Sequence, residues 1–129
     1  MSLATGAVSV MLPVEDVDRA RKFYEEKVGL TYKGQDEFEG SAMFDLEGGT
    51  TLVLLPRPGG TRNESTAMSF AVDDVEQEVK ELETQGVAFE DYDLPELKTV
   101  DHIASMGDFK SAWFKDPDGN VLCVHTPMP

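Results

Sequence analysis

Cysteine and histidine near the carboxyl-terminal end of the chain could perform nucleophilic chemistry. Cys123 is the single cysteine, and His125 stands two residues further on. Residues two apart in a strand point to the same face, so a Cys–His pair that activates the thiol is geometrically possible. A free cysteine also serves often as a small buried apolar residue. Cys123 is therefore a candidate either for a nucleophile or for a packing residue.

A second set of candidates lies in residues 90–110. Tyr92 and His102 carry groups that could act as acid or base, and they stand among the acids Asp91, Asp93, Glu96 and Asp101. The segment could form an acidic, aromatic lid over a cavity. Such a run is more often a solvated loop.

Aromatic side chains could stack against a flat ligand. Trp113 is the candidate in the second half of the chain, and Met43 or Phe44 occupies the matching place in the first half. Aromatic residues also dominate protein interiors, so core packing is the alternative role.

Length and charge narrow the class of protein. A chain of 129 residues has the size of one domain, and one cysteine allows no internal disulfide, which fits a reducing cytoplasm. No stretch has the apolar length of a membrane span or the pattern of a signal peptide. The net charge of −14 repels nucleic acid and anionic lipid. We therefore expect a soluble, cytoplasmic protein that binds neither nucleic acid nor membrane.

An internal repeat indicates how the candidate residues are positioned. Val10 to Val17 reads VMLPVEDV, and Met68 to Val75 reads MSFAVDDV. The alternation of apolar residues predicts a half-buried strand, and the following aspartates, Asp16 and Asp74, are suited to cap a helix. Apolar residues then recur at helical spacing until Gly29 and Gly86, which are plausible helix ends.

Each half continues with a predicted hairpin. Residues 42–55 turn at Gly48 and Gly49, and residues 112–124 turn at the sequence Asp-Pro-Asp-Gly, with Gly49 and Gly119 in register. Proline and glycine preset the two backbone angles that such a turn needs. Each half is therefore a predicted βαβββ unit.

The predicted organisation is a single α+β domain over residues 1–129, made of two tandem modules. Module one spans about residues 1–58, a breaker-rich linker about 56–66, and module two about 66–129. Residues 90–110 have no counterpart of equal length in the first half. There we expect a loop followed by an extra strand at residues 99–104.

Three motifs, in this order, resemble the vicinal oxygen chelate superfamily of glyoxalases, bleomycin-resistance proteins and extradiol dioxygenases. They are Val-x-Asp-Val, a helix with Phe-Tyr before Val-Gly-Leu, and the closing Trp-Phe-Lys-Asp-Pro-Asp-Gly-Asn. The resemblance covers nearly the whole chain. It implies two βαβββ modules that form a curled mixed sheet around a central cavity, and assembly as a homodimer.

The metal-dependent members place a histidine early in each module and an acid in each last strand. The resemblance puts Ser9 and Ala67 in the histidine positions, and Val53 and Cys123 in the acidic positions. These residues cannot form a site for a hard metal ion, because such a site needs several imidazole or carboxylate ligands. We therefore predict no metal, no cofactor and no metal-dependent glyoxalase, thiol-transfer or dioxygenase activity. A metal elsewhere, held by His102 and His125, has no spacing signal to support it.

Two classes of function follow. The first is a metal-free protein of the bleomycin-resistance type that binds a small molecule in its cavity, with cationic and planar molecules as the candidates. Its predicted ligand-binding residues are Ser9, Met43, Phe44, Val53, Ala67, Tyr92, His102, Trp113 and Cys123. The second is a metal-independent enzyme of the lyase or isomerase type that uses Cys123 and His102 in the same cavity. A dimeric scaffold with a filled cavity is a third alternative.

Overall fold

The computed structural model describes residues 3–37, 39–60 and 64–128. The chain divides into two compact units, residues 1–61 and 62–129, which are modules one and two. The division falls within the predicted linker, of which residues 61–63 lie outside the described residues. That the two modules make up a single domain stays a prediction.

Module one is a βαβββ unit, preceded by a short 3₁₀ turn at Leu3–Thr5. Its elements are β1 (Ser9–Val14), α1 (Val17–Lys22), β2 (Thr31–Gln35), β3 (Ala42–Asp45) and β4 (Thr51–Pro56). The strand order is β1-β4-β3-β2, with β1 parallel to β4 and the other pairs antiparallel. A π-helical turn at Phe23–Val28 continues α1 and ends at Gly29, which has a φ of 86°.

The sequence pattern of module one explains its core. The Asp16 carboxylate accepts a hydrogen bond from the Arg19 amide at 3.1 Å and so begins α1 as predicted. Alternate strand residues are buried, and the largest fully buried side chains are Tyr24 and Phe44. Their rings lie 6.3 Å apart. Burying such a ring stabilises the fold by about 2 kcal/mol, so these two residues anchor the helix to the sheet.

Module two repeats this architecture with one insertion. Its elements are β5 (Thr66–Ala71), α2 (Val75–Thr84), β6 (Asp93–Leu94), β7 (Leu97–Lys98), β8 (Ala104–Met106), β9 (Phe109–Lys115) and β10 (Val121–His125). The four-stranded sheet has the order β5-β10-β9-β8, which is the order of module one. The predicted duplication and the α+β class of paired βαβββ modules are confirmed.

The core of module two lies between α2 and the strands β9 and β10. Asp74 caps α2 by accepting a hydrogen bond from the Gln77 amide at 3.1 Å. The helix buries Val75, Val79 and Leu82. The strands bury Phe114 and Leu122 completely. Because side chains alternate along a strand, Trp113 and Cys123 lie on the other face of the sheet.

The predicted extra strand at residues 99–104 is wrong in its position. Val100 and Ile103 are paired across a tight turn, and β8 begins only at Ala104. By its place in the sheet, β8 corresponds to β2 and is part of the repeat. The inserted structure is the small hairpin of β6 and β7. Its strands are too short for an alternation of apolar and polar residues to predict them. Over the described residues, no helix has the length and apolar character needed to cross a membrane.

Candidate ligand cleft in module two

Module two contains a cleft of about 860 Å³, which we call the module-two cleft. Its apolar lining includes Tyr92, Leu94 and Val121, its charged lining includes Glu64, Glu90 and Lys115, and the turn of residues 116–119 completes it. Cavities of roughly 300–1,000 Å³ are typical of small-molecule sites. The size of the cleft therefore suits a ligand of drug-like size.

The turn in the wall of the cleft is fixed by one carboxylate. Asp116 Oδ1 accepts hydrogen bonds from the amides of Asp118 and Asn120, both at 2.9 Å. Its Oδ2 accepts from the Asn120 side-chain amide, also at 2.9 Å. Gly119 has a φ of 85°, as predicted for this turn. The Asp116 carboxylate thus holds the backbone in place rather than offering charge to a ligand.

Tyr92 joins the cleft to the aromatic corner of the sheet. Its ring meets Trp113 edge-on, with centroids 5.6 Å apart and planes at 87°. Burial, and then the Glu90 carboxylate, raise the pKa of Tyr92, so its hydroxyl is protonated at neutral pH. Glu90 itself pairs with Lys115 at 3.3 Å. This corner therefore presents an aromatic wall to the cleft. Beside it lie Glu90 and Lys115, whose opposite charges neutralise each other.

Cys123 lies opposite Trp113 in the pairing of β9 with β10 and is only 5% exposed. Burial raises the pKa of its thiol to about 11, although a hydrogen bond from the Ala112 backbone opposes the shift. The thiol is therefore uncharged at neutral pH and contacts the Val124 carbonyl oxygen at 3.5 Å. This chemistry suits a packing residue better than a nucleophile, which must be a thiolate.

The two histidines have other partners than Cys123. Nδ1 of His125 lies 2.6 Å from the Thr126 carbonyl oxygen, and the ring stacks on Phe109. His102 lies between Asp91 and Glu83, with nitrogen to oxygen distances of 2.9 and 3.5 Å. In the described part of the chain, no hydrogen bond or ion pair joins Cys123 to either histidine. The arrangement does not form the acid, base and nucleophile set that the enzyme hypothesis requires.

The predicted residues of module one divide between the two faces of its sheet. Met43 lies opposite Val53 in the pairing of β3 with β4, and both are half-buried. Phe44 faces the other way, is fully buried, and contacts Tyr24 and Tyr32. Of the two alternatives at this place, Met43 therefore has surface that a ligand could touch, whereas Phe44 is part of the core.

The strand pairs that would hold a metal carry no suitable ligands. The direct neighbours of Val53 and Cys123 in the parallel strands are Met11 and Ser69. These two lie two residues beyond Ser9 and Ala67, both of which are exposed. Hydroxyl, thioether and protonated thiol groups do not fit the hard divalent ion of this fold family. Among residues 3–37, 39–60 and 64–128, no three His, Cys, Asp or Glu side chains cluster as a metal site would require.

Several residues of the cleft were missed by the sequence analysis, namely Glu64, Glu90, Leu94, Lys115 and Val121. Glu64 and Glu90 sit in loop sequence, where no periodicity marks a direction. Val121 and Lys115 could have been found, because each is two residues from a predicted site residue in the same strand. Alternation places both on the face of Trp113 and Cys123.

The fold and the cleft define a class: a tandem βαβββ protein with an aromatic cleft and no set of metal ligands among its described residues. The family model for the Glyoxalase/Bleomycin resistance protein/Dioxygenase superfamily matches residues 6–124. The chain belongs to this superfamily. No match was found among curated protein sequences.

Solved structures share the fold along nearly the whole chain. TnmS3, an antibiotic binding protein from Streptomyces sp. CB03234, is 28% identical, with a TM-score of 0.68 over 98% of this chain and 100% of that chain. A glyoxalase/bleomycin resistance protein from the same organism is 27% identical, with a TM-score of 0.67 over 94% and 100%. The fosfomycin resistance protein FosX from Listeria monocytogenes is 14% identical, with a TM-score of 0.69 over 97% and 93%, and shows the fold alone.

Proposed function

We propose that this protein binds a small planar molecule, without a metal ion, in the module-two cleft. The observation that carries the proposal is the fixed aromatic wall: Tyr92 lines the cleft and is braced edge-on by Trp113 at 5.6 Å. A flat ligand that lies on Tyr92 would add a second ring contact, worth about 1 kcal/mol beyond the buried area. The relative TnmS3, 28% identical, is an antibiotic binding protein, which supports a small-molecule ligand.

The charge around the cleft favours a cationic ligand. Glu64 and Glu90 contribute carboxylates, and Lys115 is paired with Glu90 at 3.3 Å. The whole chain carries a net charge of −14. Such a field attracts cations and speeds their association. The proposed ligand is therefore a planar aromatic molecule with a positive charge.

The test uses Trp113, the single tryptophan, as the reporter. The protein is titrated with proflavine, a planar cation, with acridone, a neutral molecule of similar shape, and with spermine, a cation that has no ring. We expect proflavine to quench Trp113 fluorescence with one site per chain and to bind more tightly than the other two. Calorimetry gives the stoichiometry independently.

Two variants connect binding to the cleft. Tyr92→Ala removes the ring and should weaken proflavine binding about tenfold, whereas Tyr92→Phe keeps the ring and should bind like the wild type. Phe109→Ala, which removes an aromatic side chain stacked on His125 outside the cleft, is the matched control. Equal affinity in Tyr92→Ala and the wild type, or no binding of any planar probe, would contradict the proposal.

We also propose that the protein is a cytoplasmic homodimer. In the described residues, β1, β2, β5 and β8 each pair with one strand only, so they are the edge strands of the two four-stranded sheets. Such edges are commonly covered in folded proteins. Light scattering at micromolar concentration should give twice the chain mass of 14.2 kDa. A monomer mass at that concentration would overturn the dimer.

A further inference from the structure

His102 occupies an unusual backbone position. It forms a two-residue turn with Asp101, and φ is 51° for Asp101 and 71° for His102. The turn is closed by two hydrogen bonds between Val100 and Ile103, at 2.9 and 3.0 Å. Turns with two positive φ angles normally use Asn-Gly or Asp-Gly, and aspartate and histidine are among the non-glycine residues that adopt this region most often. The turn therefore fixes the backbone from which the His102 side chain extends.

The imidazole of His102 bridges two elements. Nδ1 lies 2.9 Å from Asp91 Oδ1, in the segment before β6, and Nε2 lies 3.5 Å from Glu83 Oε2, near the end of α2. The ring stacks on Phe89, with centroids 6.2 Å apart. The contact to Asp91 has hydrogen-bond geometry, and the contact to Glu83 is longer. The ring therefore links the segment before β6 to α2.

Hydrogen bonds of Thr99 connect Asp91 to Tyr92. The Thr99 hydroxyl lies 3.3 Å from Asp91 Oδ1 and accepts a hydrogen bond from the Tyr92 amide at 2.9 Å. The Thr99 amide in turn donates to the Tyr92 carbonyl oxygen at 2.8 Å. Both backbone polar groups of Tyr92 are thus held by one residue, which itself contacts the carboxylate that His102 binds. The chain His102–Asp91–Thr99–Tyr92 ends at the aromatic wall of the cleft.

We propose that His102 is a positioning residue that ties this chain to α2, sets the Tyr92 ring against Trp113, and so tunes ligand binding. The charged groups that face the ring are Glu83 from α2 and Asp91 from the segment before β6, and Asp101 precedes it in the turn. The effect on ligand affinity rests on the proposed function. The effect on the Tyr92 ring does not, because Trp113 reports it without a ligand.

The first measurement compares Trp113 emission and near-ultraviolet circular dichroism of the wild type and two variants at position 102, without a ligand. The variant His102→Gly fits the positive φ but has no side-chain donor, so its signal should differ from that of the wild type. His102→Asn keeps a donor and tolerates positive φ, so it should restore most of the wild-type signal.

The second measurement is proflavine affinity in the same variants. His102→Gly should bind about fivefold more weakly than the wild type, the size of one net hydrogen bond, and His102→Asn should restore part of that loss. A Trp113 signal and a proflavine affinity in His102→Gly equal to those of the wild type would overturn the proposal. A Trp113 signal that changes in His102→Gly while no planar probe binds would support the tether and contradict the proposed function, so the two failures are distinguishable.

Discussion

Cys123 lies directly opposite Trp113 in the antiparallel pairing of β9 with β10, as Val53 lies opposite Met43 in the pairing of β3 with β4. The two pairs occupy equivalent places in the repeat. Their chemistry differs, because module one offers a thioether and an isopropyl group where module two offers an indole and a thiol. The repeat therefore contains this pair of positions twice. Of the two pairs, only the one in module two includes an aromatic ring, the indole of Trp113, which lies beside Tyr92 of the cleft.

The stability of the protein should fall at alkaline pH because of Cys123. A thiol in an unfolded chain titrates near pH 8.5, whereas burial raises the pKa of Cys123 to about 11 in the folded protein. The folded state holds the proton more tightly, so this stabilisation is complete below about pH 8.5 and is lost as the pH rises towards 11. The unfolding free energy should fall by about 3 kcal/mol over this range.

Denaturant unfolding of the wild type and of Cys123→Ala at each pH checks this. The raised pKa of Tyr92 acts in the same direction at higher pH, and the charge of Cys123 contributes to it, so the difference between the two proteins reports the thiol together with its coupling to Tyr92. Iodoacetamide should label the wild type slowly at pH 7. Rapid labelling at neutral pH would show a reactive thiolate and restore the nucleophile hypothesis.

Gly119 should be intolerant of a β-branched side chain. Its φ is 85°, a conformation that L side chains rarely adopt, although a Cβ there would meet no atom within 4 Å. Gly119→Val should therefore lower the unfolding free energy by at least about 1 kcal/mol through backbone strain alone. Gly48→Val is the matched control, because Gly48 is also in open space but lacks a positive φ. Equal unfolding free energies for the two variants would refute the strain argument.

Local sequence rules predicted most of the frame. Asp16 and Asp74 were expected to cap helices and do so, because a cap needs only its own residue and the next three. The turn at Gly119 was predicted on the same basis. The hairpin of β6 and β7 was missed, because strands of two residues contain no full period of alternation.

The candidate site was less predictable than the frame. Trp113 and Cys123 could be assigned to one strand pair from the repeat, but which face they shared depended on register. His102 was identified as a candidate for acid and base chemistry from its residue type. Its actual neighbours, Glu83 and Asp91, come from separate elements that local patterns do not bring together. The turn at Asp101 and His102 lacks the glycine that usually marks two positive φ angles, so it was not predicted.

Binding of a cationic planar probe should weaken as salt increases. Glu64 and Glu90 line the cleft, and salt screens partly exposed charges. Raising sodium chloride from low concentration to about 0.5 M should lower proflavine affinity severalfold and leave acridone affinity unchanged. Glu64→Gln should reduce the salt dependence, whereas Glu47→Gln, an exposed acid in module one, should not. An identical salt response for both dyes would argue against a charged contact.

The purified protein should bind no stoichiometric divalent metal. Four equivalent positions of the repeat, Ser9, Ala67, Val53 and Cys123, supply at most one hydroxyl and one protonated thiol, since the pKa of Cys123 is raised to about 11. A slip of one residue does not help, because the flanking residues are Val8, Val10, Leu52, Leu54, Thr66, Met68, Leu122 and Val124. The direct strand neighbours Met11 and Ser69 add only a thioether and a second hydroxyl. A catalytic site normally takes about three protein ligands, which these positions cannot provide.

Elemental analysis after dialysis, followed by calorimetric titration with nickel, zinc and manganese, should detect no tight site, and added nickel or zinc should produce no glyoxalase activity. Binding of about one ion per chain that is lost on substituting any of the four positions would contradict this prediction, because those positions would then be metal ligands.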